Sequence, residues 1–176
     1  CVEVSPRQKV ATVIGFPFGY STLKAKQAEV EQAIREGAGE LDMVIDLTAL
    51  RAGDWAHLEK EIQTLTTLAH DRYSTIKVII ESGILTDEEI IQCCAIAAKA
   101  GVDFVKTSTG YAEKGASVEA VTLMRRHLPG NVKIKASGGI RTYDFARRLI
   151  EAGADRLGCS ASVEIIKGQA ANAGDY

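Results

Sequence analysis

Charged side chains interrupt apolar runs at several places in this 176-residue chain. Asp42 lies in Leu-Asp-Met-Val-Ile-Asp, Lys77 and Glu81 in Ile-Lys-Val-Ile-Ile-Glu, Lys106 in Phe-Val-Lys-Thr-Ser-Thr-Gly, and Lys133 with Lys135 in Val-Lys-Ile-Lys-Ala-Ser-Gly-Gly. Such runs read as parallel strands packed on both faces, where a charge is costly unless it is paired or used. Lys77 and Lys133 stand near the N-terminal ends of their runs and read as solvated strand ends or structural ion pairs. Lys106 and Lys135 stand near the C-terminal ends, each directly before a loop of small residues whose backbone N–H groups can approach an anion.

Two ammonium groups on neighbouring strands disfavour each other's charged form, since a like charge about 4 Å away at an effective dielectric near 20 contributes about 4 kcal/mol of repulsion. A neutral amine is the nucleophile needed to form a Schiff base with a carbonyl compound. Such catalysis also needs a proton shuttle, for which Asp42 is the best-placed carboxylate; Asp46 is a weaker candidate and Glu81 a support for the lysine pair. Gly138-Gly139 after one strand, and Gly158-Cys159-Ser160-Ala161-Ser162 opening a short helix after the next, suit a phosphate bound through backbone amides.

The elements that must position these groups alternate along the chain. Strands are expected at Val10–Gly15, Leu41–Asp46, Ile76–Glu81, Phe104–Ser108, Val132–Ala136 and Arg156–Cys159. Helices are expected at Leu23–Glu36, Trp55–His70, Asp87–Ala100, Val118–His127, Tyr143–Ala152 and Ser162–Lys167. Thr86 and Ser117 suit helix starts, and Gly37, Gly101 and Gly153 suit helix ends. The phrases Gly37-Ala38-Gly39-Glu40-Leu41-Asp42, Gly101-Val102-Asp103-Phe104 and Gly153-Ala154-Asp155-Arg156 repeat one order: helix end, glycine turn, acid, strand. Polar residues at the ends of several different strands favour an α/β fold of the TIM (β/α)8 barrel type over an open sheet, which gathers its site at one switch point. A full barrel needs about 250 residues, so the N-terminal one to two βα units are expected to be lacking, and residues 1–176 read as a single domain of this kind.

Composition narrows the function. Lys plus Arg 21 against Asp plus Glu 23 leaves a net charge of −2, without the basic footprint of a nucleic-acid binder, and 46% hydrophobic residues exclude wholesale disorder. No apolar run is long enough to cross a membrane and no signal peptide opens the chain, so a cytoplasmic location is expected. Cys1, Cys93, Cys94 and Cys159 show no metal-site spacing and read as reduced thiols, the adjacent pair as packing residues. His57, His70 and His127 lie apart, at helix ends or surfaces.

Taken with Val10-Ala11-Thr12-Val13-Ile14-Gly15-Phe16-Pro17-Phe18-Gly19 and Leu157-Gly158-Cys159-Ser160, the charged phrases occur in an order that resembles the deoxyribose-phosphate aldolases, a class I aldolase family, across nearly the whole chain. The resemblance implies Lys106 as the imine-forming residue, Lys135 as the lysine that perturbs it and Asp42 as the proton shuttle. It implies Gly110, Gly138, Gly139, Arg141, Gly158 and Ser160 as phosphate contacts, and Tyr176 as a C-terminal proton-transfer group. The implied reaction is reversible cleavage of 2-deoxy-D-ribose 5-phosphate to D-glyceraldehyde 3-phosphate and acetaldehyde, with no metal and no organic cofactor. The chain departs from the family at Ala161, where a second serine is preferred, and in lacking an Asp-His-Thr first strand. Two other readings stand beside it: an inactive sugar-phosphate-binding or assembly module, and a Schiff-base aldolase with another acceptor. Partners are expected to be the phosphorylated sugar and acetaldehyde, not nucleic acid or membrane, and exposed strand edges would suit a homo-oligomer.

Overall fold

The computed structural model describes residues 9–168, so Cys1 and Tyr176 lie outside it. Strands and helices alternate as β1 Ala11–Ile14, α1 Leu23–Arg35, β2 Glu40–Val44, α2 Leu47–Arg51, α3 Trp55–His70, β3 Thr75–Ile79, α4 Asp87–Ala100, β4 Phe104–Lys106, α5 Val118–His127, β5 Lys133–Ser137, α6 Tyr143–Glu151, β6 Arg156–Gly158 and α7 Ser162–Ile166, with a 3-10 turn at Ser82–Ile84. The expected helices recur within one residue at each end. Five strands stop short of their expected C-terminal ends, β2, β3 and β4 by two residues because the residues there take other work. Asp46 accepts from Thr48 N at 2.9 Å and Ala49 N at 3.1 Å, capping α2, a helix the sequence reading lacks. Glu81 leaves the strand in a left-handed conformation, and the residues after Lys106 turn into a loop.

Two compact units are distinguishable. The first takes the described residues up to Ile79 together with Ile96–Val105. In it β1, β2 and β3 pair in parallel and in chain order, with Val13 opposite Asp42 and Asp42 opposite Lys77. Every residue of β2 is buried, as a strand covered on both faces requires. Leu41, Met43, Ile76, Val78 and the α3 residues Leu58, Ile62 and Leu65 form its core. Thr22 and Asp54 cap α1 and α3 through Ala25 N and His57 N.

Charge is buried in this core in two places. Lys77, fully buried, donates to Asp42 Oδ1 at 2.8 Å and lies 2.7 Å from Glu40 Oε2, so of the two readings offered for it the structural ion pair is the one found. Lys26 is also fully buried and donates to Glu61 Oε1 at 2.6 Å and to the Val44 carbonyl at 2.8 Å. Glu61 Oε2 accepts from Asp46 N, so α1, β2 and α3 are joined through one carboxylate. Burial nevertheless holds Glu61 above the usual carboxylate range, against the lowering effect of Lys26 and the Asp46 N–H.

The second unit takes Ile80–Ala95 and the described residues from Lys106 onward. Its strand segments also follow chain order: Ile80 N donates to Lys106 O, Thr107 N to Lys135 O, and β5 pairs in parallel with β6. Thr86 and Glu89 form a reciprocal cap at the start of α4, and Ser117 and Thr142 cap α5 and α6. Val121, Met124, Ile134, Ala136 and Leu149 are its core. Cys93 and Cys94 are buried with it, and burial pushes each thiol up to about 12. Among the described residues no helix is long and apolar enough to cross a membrane.

Candidate active site

The second unit opens a cavity of about 310 Å³ at the C-terminal ends of its strands, a volume at the small end of ligand pockets. Lys106, the last residue of β4, lines it and is only 7% exposed. Lys135, from the middle of β5, lines it as well, and the space above Gly158 is so narrow that a Cβ there would meet Lys135 Cε at 3.2 Å. Gly138, Gly139 and Arg141 enter from the loop after β5, Gly158 and Ser160 from the end of β6, and Gly110 from the loop after β4. The cavity thus gathers both lysines and every phosphate residue expected from the sequence.

Two loops of this wall are fastened to each other. Thr107 Oγ1 donates to the Ser137 carbonyl and accepts from Ser137 N, both at 3.0 Å, while Ser137 Oγ donates to the Ser108 carbonyl at 2.6 Å. Gly138 and Gly139 have φ of +88° and +75°, in the region that favours glycine. Gly115 packs backbone to backbone against Gly138: a Cβ on Gly115 would lie 2.3 Å from the Gly138 carbonyl oxygen. Ala116 N donates to the carbonyls of Ser137 and Gly138, closing the same contact.

Asp42 stands in the first unit on β2, where Lys77 orients its carboxylate. Asp46 is committed to capping α2, with its other oxygen 3.4 Å from His57 Nε2. Glu81 accepts from Thr109 N and from the Thr109 hydroxyl, so it supports the loop beyond Lys106. Ala161 occupies the N-cap position of α7 and is buried, with no hydroxyl to offer.

Sequence reasoning gave Thr109, Ser137, Ile140 and Cys159 no site role of their own, and they also line the cavity. Ser137 was within reach of a parity argument, since residues two apart on a strand share a face and Lys135 was already assigned. Thr109 carries no comparable signal, being one of three small polar residues in a row. No group of three His, Cys, Asp or Glu side chains among the described residues is arranged to hold a metal ion.

The family model described as DeoC/LacD family aldolase matches residues 2–168. The deoxyribose-phosphate aldolase of Thermococcus gammatolerans is 48% identical over 160 residues, which span 91% of this chain and 71% of that protein. A solved structure described as QR15, an aldolase, superposes with a TM-score of 0.87 at 39% identity, covering 93% of this chain and 73% of the other. A deoxyribose phosphate aldolase from Aeropyrum pernix, whose structure is described as a unique tetramer, gives a TM-score of 0.83 at 33% identity, covering 90% and 67%. The expected fold class, α/β of the barrel type with fewer than eight units, accords with these neighbours. A match running from residue 2 to residue 168, supported by relatives at close to half identity, places this chain in the DeoC/LacD family of aldolases.

Proposed function

We propose that the chain catalyses reversible aldol cleavage of 2-deoxy-D-ribose 5-phosphate to D-glyceraldehyde 3-phosphate and acetaldehyde, through an imine on Lys106. The observation that carries this reading is the cavity itself, which pairs a nearly buried Lys106 with Lys135 and sets glycine loops and Arg141 beside them. The name of the Thermococcus gammatolerans relative supports the same substrate. In the synthetic direction the Lys106 amine adds to the carbonyl carbon of acetaldehyde, and the carbinolamine loses water to give an iminium ion. Loss of a methyl proton converts the iminium ion to an enamine, the nitrogen taking up the electron pair. The enamine carbon then attacks the aldehyde of the phosphorylated partner, whose oxygen gains a proton, and water releases the product and the free lysine. The imine is its own electron sink, so no cofactor enters this scheme.

In this reading Lys135 supplies a second positive charge on the cavity wall that holds Lys106. Arg141 and the amides around Gly138, Gly139, Gly158 and Ser160 hold the phosphate. Asp42 carries the proton-transfer role, and Tyr176, outside the described residues, has the role the resemblance gives it. A cytoplasmic location is part of the same proposal.

Borohydride reduction in the presence of acetaldehyde tests the assignment. The expected product is N-ethyl-lysine at position 106, found by peptide mass spectrometry and absent from Lys106→Ala. An adduct that persists in that variant overturns the assignment. Binding of the sugar phosphate without retro-aldol turnover would favour an inactive binding module instead.

A further inference from the structure

Glu81 has the least ordinary backbone of the residues close to the cavity. Its φ and ψ are 55° and 53°, and its side chain is buried, with the residue 2% exposed. Tyr73 is the other non-glycine residue with positive φ among those described, and it is wholly exposed in a turn. A left-handed conformation is unfavourable for a residue that carries a Cβ, and burying a carboxylate adds to that cost unless the charge is satisfied. Residues held in this way concentrate at functional sites.

What the conformation achieves is visible in the bonds on either side. Ile80 N donates to the Lys106 carbonyl at 3.1 Å and Ser82 N to the Thr107 carbonyl at 2.7 Å. In a regular parallel ladder, residues two apart on one strand meet residues two apart on the next. Here they meet adjacent residues, and the kink at Glu81 absorbs the mismatch as a bulge does. The side chain of the kinked residue then reaches past Ser108. Its Oε1 and Oε2 accept from Thr109 N at 3.3 and 3.2 Å, and Oε2 also accepts from the Thr109 hydroxyl. Thr109 Oγ1 in turn accepts from Tyr111 N at 3.1 Å. Three consecutive residues therefore hold Lys106, Thr107 and Thr109, and the longest-reaching of these links is a charge-assisted one.

We infer that Glu81 is a positioning residue for the imine lysine. By gripping Thr109 its carboxylate fixes the strand-to-loop turn that starts at Lys106, and so fixes the direction in which the Lys106 amine enters the cavity. The inference rests on Lys106 being the imine-forming residue.

The test compares wild type with Glu81→Gln, Glu81→Gly, Thr109→Val and the Glu81→Gln/Thr109→Val double variant. It measures the rate of borohydride trapping at Lys106 with acetaldehyde, kcat and KM for the phosphorylated sugar, and the urea midpoint. Trapping rate and kcat are expected to fall about 100-fold in Glu81→Gln, the size of effect that a misplacement of about 1 Å produces. KM should change less than about threefold, because the loops at Gly138, Gly139, Gly158 and Ser160 keep their own supports. Glu81→Gly relieves the backbone cost yet should be as slow, and the double variant no slower than the worse single one, since both cut one link. A normal wild-type adduct with wild-type rates in Glu81→Gln or Glu81→Gly overturns this inference alone, as would a shift in the urea midpoint without a change in rate. No adduct in wild type overturns the assignment of Lys106 and this inference with it. Should the Glu81 variants fail to fold, Thr109→Val carries the same comparison with Glu81 in place.

Discussion

An arginine that shares a cavity wall with two lysines attracts an anion that enters, while a neutral ligand gains nothing from its charge. That asymmetry gives Arg141 a distinguishable signature. Charge-assisted hydrogen bonds contribute about 1.5–3 kcal/mol, so Arg141→Met should raise KM for the phosphorylated sugar about 10- to 100-fold. Trapping of acetaldehyde at Lys106, which involves no phosphate, should stay within about twofold; equal losses in both assays would contradict a phosphate role. At this scale the sequence disclosed most where a residue type was out of place. Lys106 and Lys135 were legible because charges do not belong in apolar strands. Thr109 was not, because its work lies in a partner 28 residues away that an ordinary loop residue does not announce. The left-handed turn at Glu81 was illegible for a related reason, since nothing local favours it and only its bonds to Thr109 and the neighbouring backbone require it.

Elements were legible to the extent that their ends were marked. α3, α4 and α5 begin and end at the expected residues because Asp54, Thr86 and Ser117 cap their starts and the chain turns away after each of them. α2 was missed since five residues are too few for a hydrophobic period, and its capping Asp46 looks the same as an acid closing a strand. The pairing of α1 with α3 through Lys26 and Glu61 makes a measurable statement about pH. Burial raises the Glu61 carboxyl above its ordinary 4.5, so the folded state binds that proton more tightly than the unfolded state. Its contribution to stability is therefore complete below about pH 4.5 and is lost as pH rises through the folded value. Wild type should lose urea resistance relative to Glu61→Gln as pH is raised from 4.5 toward neutrality. Parallel curves for the two proteins would show that the buried lysine balances burial, and a wild type that gains resistance as pH rises would show that it outweighs burial.

For the whole molecule, the net charge of −2 matters less than where the positive charge sits, with Lys106, Lys135 and Arg141 on one cavity wall. We propose that the chain folds as one domain even though two compact units are distinguishable. Neither unit is a continuous stretch, and α4 and β4 each contribute residues to both. A fragment of residues 1–79 would lack Ile96–Val105, including the buried Val102, Phe104 and Val105 that complete its unit. Expressed alone, it should show no cooperative unfolding by circular dichroism, whereas the full chain should give one transition; a cooperative fragment would identify a separable domain. The alternation of strand and helix was readable in advance because its periodicities are local. The division into interleaved units was not, because it depends on which distant segments pack together.

The approach of Gly115 to Gly138 has a consequence for how this sequence can change. Position 115 is not one of the proposed phosphate contacts, yet any side chain there would press on the carbonyl of Gly138, which is. In a mutational scan it would behave as though it were in the site, tolerant of nothing larger than hydrogen. Ile140 and Cys159, which also line the cavity, are positions where variation aimed at a new acceptor aldehyde can be sought. Behind the glycine pair, the freedom to evolve is set by contact between two backbones, whatever the chemistry in front of them.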